Sequence, residues 1–215
     1  MRRFFRELAF DISEPGIHMM LIPVFAFIFV VMTYIVQHNL DAMGQSNLIT
    51  LPLFEILIPS LGGYGSVMLM QGLLDTEGGE LYFTYPRSYL YWGLLRQFRF
   101  FVLYVLLIAA VCISVAGIMN IDFVQIFHLA AAQSFAVMAV SFLGVTASKK
   151  VSIGLILLLA FIGIQITLGQ EYGVFNLIYV MSGFAPSYEQ LMSISLNSII
   201  VGTFSWVVGQ VWVRP

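Results

Sequence analysis

The chemistry in this chain is concentrated in one short stretch, Glu77-Gly78-Gly79-Glu80-Leu81-Tyr82-Phe83-Thr84-Tyr85-Pro86-Arg87-Ser88. Gly78 and Gly79 allow a sharp change of chain direction. Glu80 opens a short helix, where a carboxylate complements the positive end of the helix dipole. Leu81, Tyr82, Phe83 and Tyr85 give that helix a dense apolar face. Pro86 ends it, because the residue before a proline disfavours helical backbone. The chemistry of such a set is recognition rather than bond-making. A rigid aromatic surface on a short loop fits a protein partner. It fits equally an interfacial helix whose rings enter the headgroup layer.

Signatures of catalysis are missing elsewhere. No G-x-x-x-x-G-K-[ST] loop is present to cradle ATP, no H-E-x-x-H helix to bind zinc, and no G-x-S-x-G elbow. His18, His38 and His128 are too far apart in sequence for a local metal cluster. The single Cys112 excludes a disulfide or a cysteine-based metal site within one chain. Three polar residues inside apolar stretches form a possible intramembrane polar site: Glu55, Gln125 and His128. An ionisable group in a membrane is by default a functional candidate. Glu55, about 6 Å inside the outer end of its span, also fits a side chain reaching the headgroups or a neighbouring helix. Gln125, His128 and Gln133 are expected on one side of their span, as a ligand site or as donors of interhelical hydrogen bonds.

These residues are positioned by a chain that is 60% hydrophobic and 9% charged, with a mean hydropathy of +0.95. Soluble domains carry about 25% charged residues, so the composition predicts a bilayer protein. The net charge of −2 says little, and no basic stripe points to nucleic acid. Six stretches have the roughly 20 apolar residues that a crossing needs: 17–37, 52–74, 99–119, 123–147, 151–169 and 191–213. All nine Lys and Arg residues fall between them in four patches: Arg2, Arg3 and Arg6; Arg87, Arg96 and Arg99; Lys149 and Lys150; and Arg214. The loops at 38–50, 120–122 and 170–190 hold none, so the positive-inside rule places both termini in the cytoplasm. Pro52, Pro59, Gly62, Gly63 and Gly65 make the second span kinkable and open to close neighbours.

Three shorter elements complete the expected fold. Residues 2–12 set Phe4, Phe5, Leu8 and Ile12 against Arg2, Arg3, Arg6 and Asp11. That pattern suits an amphipathic helix on the cytoplasmic membrane surface, ended by Pro15-Gly16; a solvated N-terminal turn is the plainer alternative. The first span lacks a small-residue cleavage site and reads as retained. Residues 172–185 are apolar but too short to cross, and read as outer re-entrant helices broken at Gly183 and Pro186. The expected architecture is therefore an all-α membrane protein in one transmembrane domain, 1–215. It has six spans, an N-terminal interfacial helix, a short cytoplasmic coupling helix between spans 2 and 3, and short outer helices between spans 5 and 6.

The order acid, Gly, Glu-Leu, then Pro-x-Ser six residues after the Glu resembles the cytoplasmic loop of type-2 ABC transporter permeases, the membrane subunits of ABC exporters. The matching residues are Glu77, Gly78 or Gly79, Glu80, Leu81, Pro86 and Ser88. The family's usual Gly three residues before the Glu is Glu77 here, and Tyr82 stands where a second Leu is common. The wider layout is similar too. The resemblance implies a transport subunit of the plasma membrane, not an enzyme. It would pair with a second permease subunit, identical or different, and dock its loop on a separate ATPase subunit that holds ATP and Mg. The chain itself would bind no cofactor. Coupling would fall to Glu77, Gly78, Gly79, Glu80, Leu81, Tyr82, Phe83, Tyr85, Pro86 and Arg87, and the cargo would be apolar or amphipathic, such as a peptide, an antibiotic or a lipid-like molecule. An alternative is the substrate-binding six-helix subunit of a vitamin importer. That subunit needs a small-residue face on its first span, where this chain has only Ala26. An intramembrane hydrolase would need nucleophile–base pairs that the sequence lacks.

Overall fold

The computed structural model describes residues 11, 13, 16–40, 46–74, 90–119, 122–168 and 188–213. Among them are six long helices and no strand: α1 (Ile17–Leu40), α2 (Ser46–Leu69), α3 (Arg96–Met119), α4 (Phe123–Ser148), α5 (Val151–Leu168) and α6 (Tyr188–Trp212). A short helical turn, Gln71–Leu74, follows a break at Met70, whose N–H bonds the Val67 carbonyl at 3.0 Å. One π-helical turn, Tyr91–Leu95, leads into α3. Four helical stretches are long and apolar enough to cross a membrane: Phe54–Leu74, Tyr91–Ile118, Phe123–Ser148 and Met192–Trp212. Leu21–Val36 and Val151–Thr167 are apolar but shorter.

Local chemistry explains the sharpest boundaries. The Asp122 carboxylate accepts from the Val124 N–H at 3.1 Å, capping α4 where a negative charge also suits the helix dipole. Lys149 ends α4 in the left-handed region, with φ 59°, and its N–H closes on the Val145 carbonyl. Helices α4 and α5 thus begin and end within about a residue of the expected stretches 123–147 and 151–169. Elsewhere helical backbone reaches beyond the expected stretches, back to Ser46 before the second and to Leu90 before the third, so Arg96 is a helical residue like Arg99.

Pairs of touching residues give the helix directions. Ile22 lies against Gly65, and Phe29 against Phe54, so α1 and α2 are antiparallel. Gln97 bonds Ser66, while Tyr104 packs on Gly62, so α2 and α3 are antiparallel. Gly154 meets Val145 and Leu157 meets Gly144, which makes α4 and α5 antiparallel. Gly202 meets Ala136 and Gly209 meets Leu143, an equal advance along both chains, so α4 and α6 are parallel. Helix α4 is the central element, packing on α2, α3, α5 and α6. The outward faces stay apolar, with Phe27, Leu159 and Phe204 all more than 60% exposed. A helix that is apolar both inside and outside suits a lipid surround.

The interfacial helix at 2–12, apart from Asp11, lies outside the described residues, as do the coupling segment at 75–89 and the outer segment at 169–187.

Candidate functional site

Every residue expected to couple, from Glu77 to Arg87, lies outside the described residues, but both chain ends that lead into that stretch are described. On the entry side, Leu73 is buried in a cluster that also holds Trp92 from the exit side and Val213 from the end of α6. The two ends of the loop are thus held in one apolar cluster. Gly93 permits this closeness, since a Cβ there would stand 2.3 Å from Gln210 Oε1. That same oxygen accepts the Leu94 N–H at 2.7 Å. Gln210 of α6 thereby serves a backbone donor within the π turn, a feature that frequently occurs at functional positions.

A buried polar clasp stands next to the turn. Asp11 Oδ2 accepts from Arg99 Nε at 2.7 Å and lies 2.6 Å from Arg99 Nη2, a two-pronged pair. Arg96 Nε stands 3.3 Å from Asp11 Oδ1. The Arg99 guanidinium lies over the Tyr91 ring at 4.9 Å, a cation–π contact. Arg96 is 0% exposed, Arg99 5% and Asp11 3%. In sequence Arg96 falls in the expected loop, Arg99 opens the expected third span, and Asp11 belongs to the polar face of a membrane-surface helix. Instead the three are buried together, because two guanidiniums leave water only when a carboxylate meets them.

In the same turn of α3, between the two arginines, Gln97 and Ser66 exchange two hydrogen bonds. Ser66 Oγ is 2.8 Å from Gln97 Oε1, and Gln97 Nε2 donates to the Ser66 carbonyl at 2.9 Å. Ser66 Oγ also lies 2.9 Å from the Met138 carbonyl. Its single proton is shared between these two acceptors, and the group ties α2, α3 and α4 together. Lys149, at the α4–α5 turn, donates to the Trp212 carbonyl, and burial lowers its pKa from the ordinary 10.5. Arg96, Arg99 and Lys149 therefore all gather at the loop end of the bundle.

The residues of the possible intramembrane site differ in their surroundings. Glu55 is buried, at 3% exposure, about 14 Å along the axis from Ser46. It shares the 55, 59, 62, 66 stripe by which α2 meets α4 at Gly62 and Ser66. Gln125 is half-buried, His128 exposed and Gln133 wholly buried. His128 and Gln133 stand about 140° apart around the helix, so they do not share a side. Among the described residues no group of three or more His, Cys, Asp or Glu could hold a metal.

Sequence reasoning missed two features. The first is the clasp, whose only local signal is Arg96-Gln97-x-Arg99 opening an otherwise apolar helix. The second is a stripe of small residues on α6, Ser195, Ser198, Gly202, Ser205 and Gly209, spaced three and four apart and all buried, with Gly202 and Gly209 against α4. Such stripes let membrane helices approach closely, and that spacing was readable. Comparison with models of known protein families, with curated proteins and with solved structures finds no match to this chain.

Proposed function

We propose that this chain is the membrane-spanning permease subunit of an ATP-driven exporter of the type-2 ABC kind. In this reading all six long helices cross the bilayer, both termini are cytoplasmic, and residues 75–89 grip a separate ATPase subunit. The observation that carries the proposal is the loop sequence Glu77 to Ser88 together with how its ends are held. Leu73 and Trp92 lie in one buried cluster with Val213, and the Asp11–Arg99 clasp adjoins it. A force applied to the loop would act at once on α2, α3 and α6, because their ends are joined there. Two further observations support the crossing count: the alternation of helix directions, and the gathering of Arg96, Arg99 and Lys149 at one end of the bundle, as cytoplasmic cations do.

Substrate movement would follow from differential contact. The ATPase grips the loop more tightly in one bundle conformation than in another, and ATP binding shifts the population accordingly. The second permease subunit and the cargo, apolar or amphipathic, belong to the same proposal. The test is co-expression with an ATPase encoded beside this chain. The pair is expected to co-purify, and the ATPase to turn over faster with the chain than without it. Glu80→Ala, Tyr82→Ala and Pro86→Ala combined should abolish export while leaving the chain inserted and folded. Export by that triple variant, or labelling of Tyr82 from outside intact cells, defeats the reading.

A further inference from the structure

The π turn at Tyr91–Leu95 decides which ring sits over Arg99. A π turn carries one residue more than an α turn, so it offsets the chain before it by about 100° and 1.5 Å. In a straight α-helix the residue on the face of Arg99 is seven positions back, about 20° away round the axis. That residue is Trp92. Residues eight apart are separated by about 80°. Yet it is Tyr91, eight positions back, whose ring meets the Arg99 guanidinium at 4.9 Å. The extra residue has brought Tyr91 round, and Trp92 packs instead in the buried cluster with Leu73 and Val213.

The turn is held from outside α3. Just beyond it, Arg96 and Arg99 meet Asp11 and Gln97 bonds Ser66, so the body of the helix is tied down. Within it, the Leu94 N–H donates to Gln210 Oε1 of α6 at 2.7 Å. Gly93 is the point of closest approach, since a Cβ there would stand 2.3 Å from that oxygen and 2.9 Å from Val213 Cγ2. Straightening the turn moves each residue into its predecessor's place. Trp92 then takes the place of Tyr91 over Arg99, and Leu94 takes that of Gly93. No room exists there even for a Cβ, so α6 must give way.

We infer that Tyr91–Leu95 is a register joint: loss of its extra residue turns the chain entering α3 by about 100° and drives the end of α6 away. Shifts of register between packed helices are a known route from one conformation to another. Because α3 is fixed from Arg96 onward, the rotation falls on the loop side. Because Gly93 has no spare room, the rotation is coupled to α6. Gln210 is the positioning residue of the joint, its oxygen holding the π register through the Leu94 N–H. The joint is a property of the chain alone and needs no ATPase partner.

Cysteine pairs test it on the full chain in lipid nanodiscs. Cys112→Ala removes the native thiol, and Trp206→Phe with Trp212→Phe leaves Trp92 as the only indole. Gly93→Cys with Gln210→Cys reports the π register, since shortening Gln210 makes the room that a Cβ at 93 needs. Leu94→Cys with Gln210→Cys reports the straight one. Copper phenanthroline is expected to close both pairs, and closure of 93–210 shows that the chain with Gln210→Cys keeps its fold. Closing 94–210 should carry Trp92 out of its apolar cluster to the half-buried place of Tyr91. Its emission then shifts to longer wavelength, and reductant reverses the shift. Closing 93–210 should leave the emission unchanged. A 94–210 pair that stays open, or that closes without moving the Trp92 emission, overturns the inference. Because no ATPase is present, failure here is separate from failure to couple.

Discussion

Ser66 and Ser134 are both fully buried serines in helices of membrane length, yet their surroundings differ in kind. Ser66, level with Met138 one turn of α4 beyond Ser134, meets Gln97 and the Met138 carbonyl. Ser134, at mid-depth of α4, has a hydroxyl with no partner among the described residues. The contrast extends to their neighbours. Asp11, Arg99, Gln97 and Gln210 all make cross-element hydrogen bonds at the loop end. Gln133 of α4 and Ser195 and Ser198 of α6 make none among the described residues. Buried polar groups that are fully satisfied rigidify a structure, and unsatisfied ones are costly. The loop end is thus cross-linked between elements by polar side chains, although Trp206 Nε1 there has no partner among the described residues, whereas Ser134 and Gln133 of α4 make no such link.

The largest expected effect breaks the charged link. Asp11→Asn removes the charge facing Arg96 and Arg99, which stay buried. Removing one partner of a buried ion pair costs about 3 kcal/mol or more. Denaturant unfolding in detergent micelles should show that loss, and a midpoint within error of the parent chain would mean that the clasp is not a structural element. Second is Gly202→Val. Ser198, one turn away, has a hydroxyl with no partner among the described residues, yet the seam is not loose, since a Cβ at Gly202 would lie 2.4 Å from the Phe135 ring. Overpacking there is expected to cost about 1–3 kcal/mol. Tolerance of valine would indicate an open seam and blur the distinction between unsatisfied and unpacked.

How much of this could be read from sequence depends on what each feature requires. The helices were legible because apolar runs of membrane length have few alternatives, and the limits of α4 because Asp122 and Lys149 punctuate its two ends. The loop motif at 77–88 was legible as a pattern, but the anchors around it were not. Counting Arg96 and Arg99 in a patch of exposed charges misses their environment. Their burial depends on Asp11, far away in the chain, and charge counting carries no pairing information. The α6 stripe was open to inspection at its three-and-four spacing, although nothing in it names α4 as the partner. Grouping His128 with Gln133 failed for a simpler reason. Five residues are not a whole number of helical turns, so the two side chains part company.

Third comes Ser66→Ala. It removes the hydroxyl that tethers α2 to the Met138 carbonyl, and it leaves the Gln97 oxygen short of a donor. A lost hydrogen bond with a buried group left behind costs about 1–2 kcal/mol. The helical frame keeps its apolar contacts, so the fold should persist with a lower unfolding midpoint.

The smallest expected effect is the most discriminating. Ser134→Ala deletes a hydroxyl whose removal breaks no described hydrogen bond, and it lifts the cost of keeping that hydroxyl dry. Replacing an unsatisfied polar group by an apolar one of the same shape is near neutral or stabilising, here by no more than about 1 kcal/mol. The sign is therefore opposite to that for Ser66→Ala, although the residue types, the substitutions and the burial are the same. Measured side by side in one micelle, the two variants separate the effect of partners from the effect of burial. If Ser134→Ala lowers stability as much as Ser66→Ala, the hydroxyl is engaged after all.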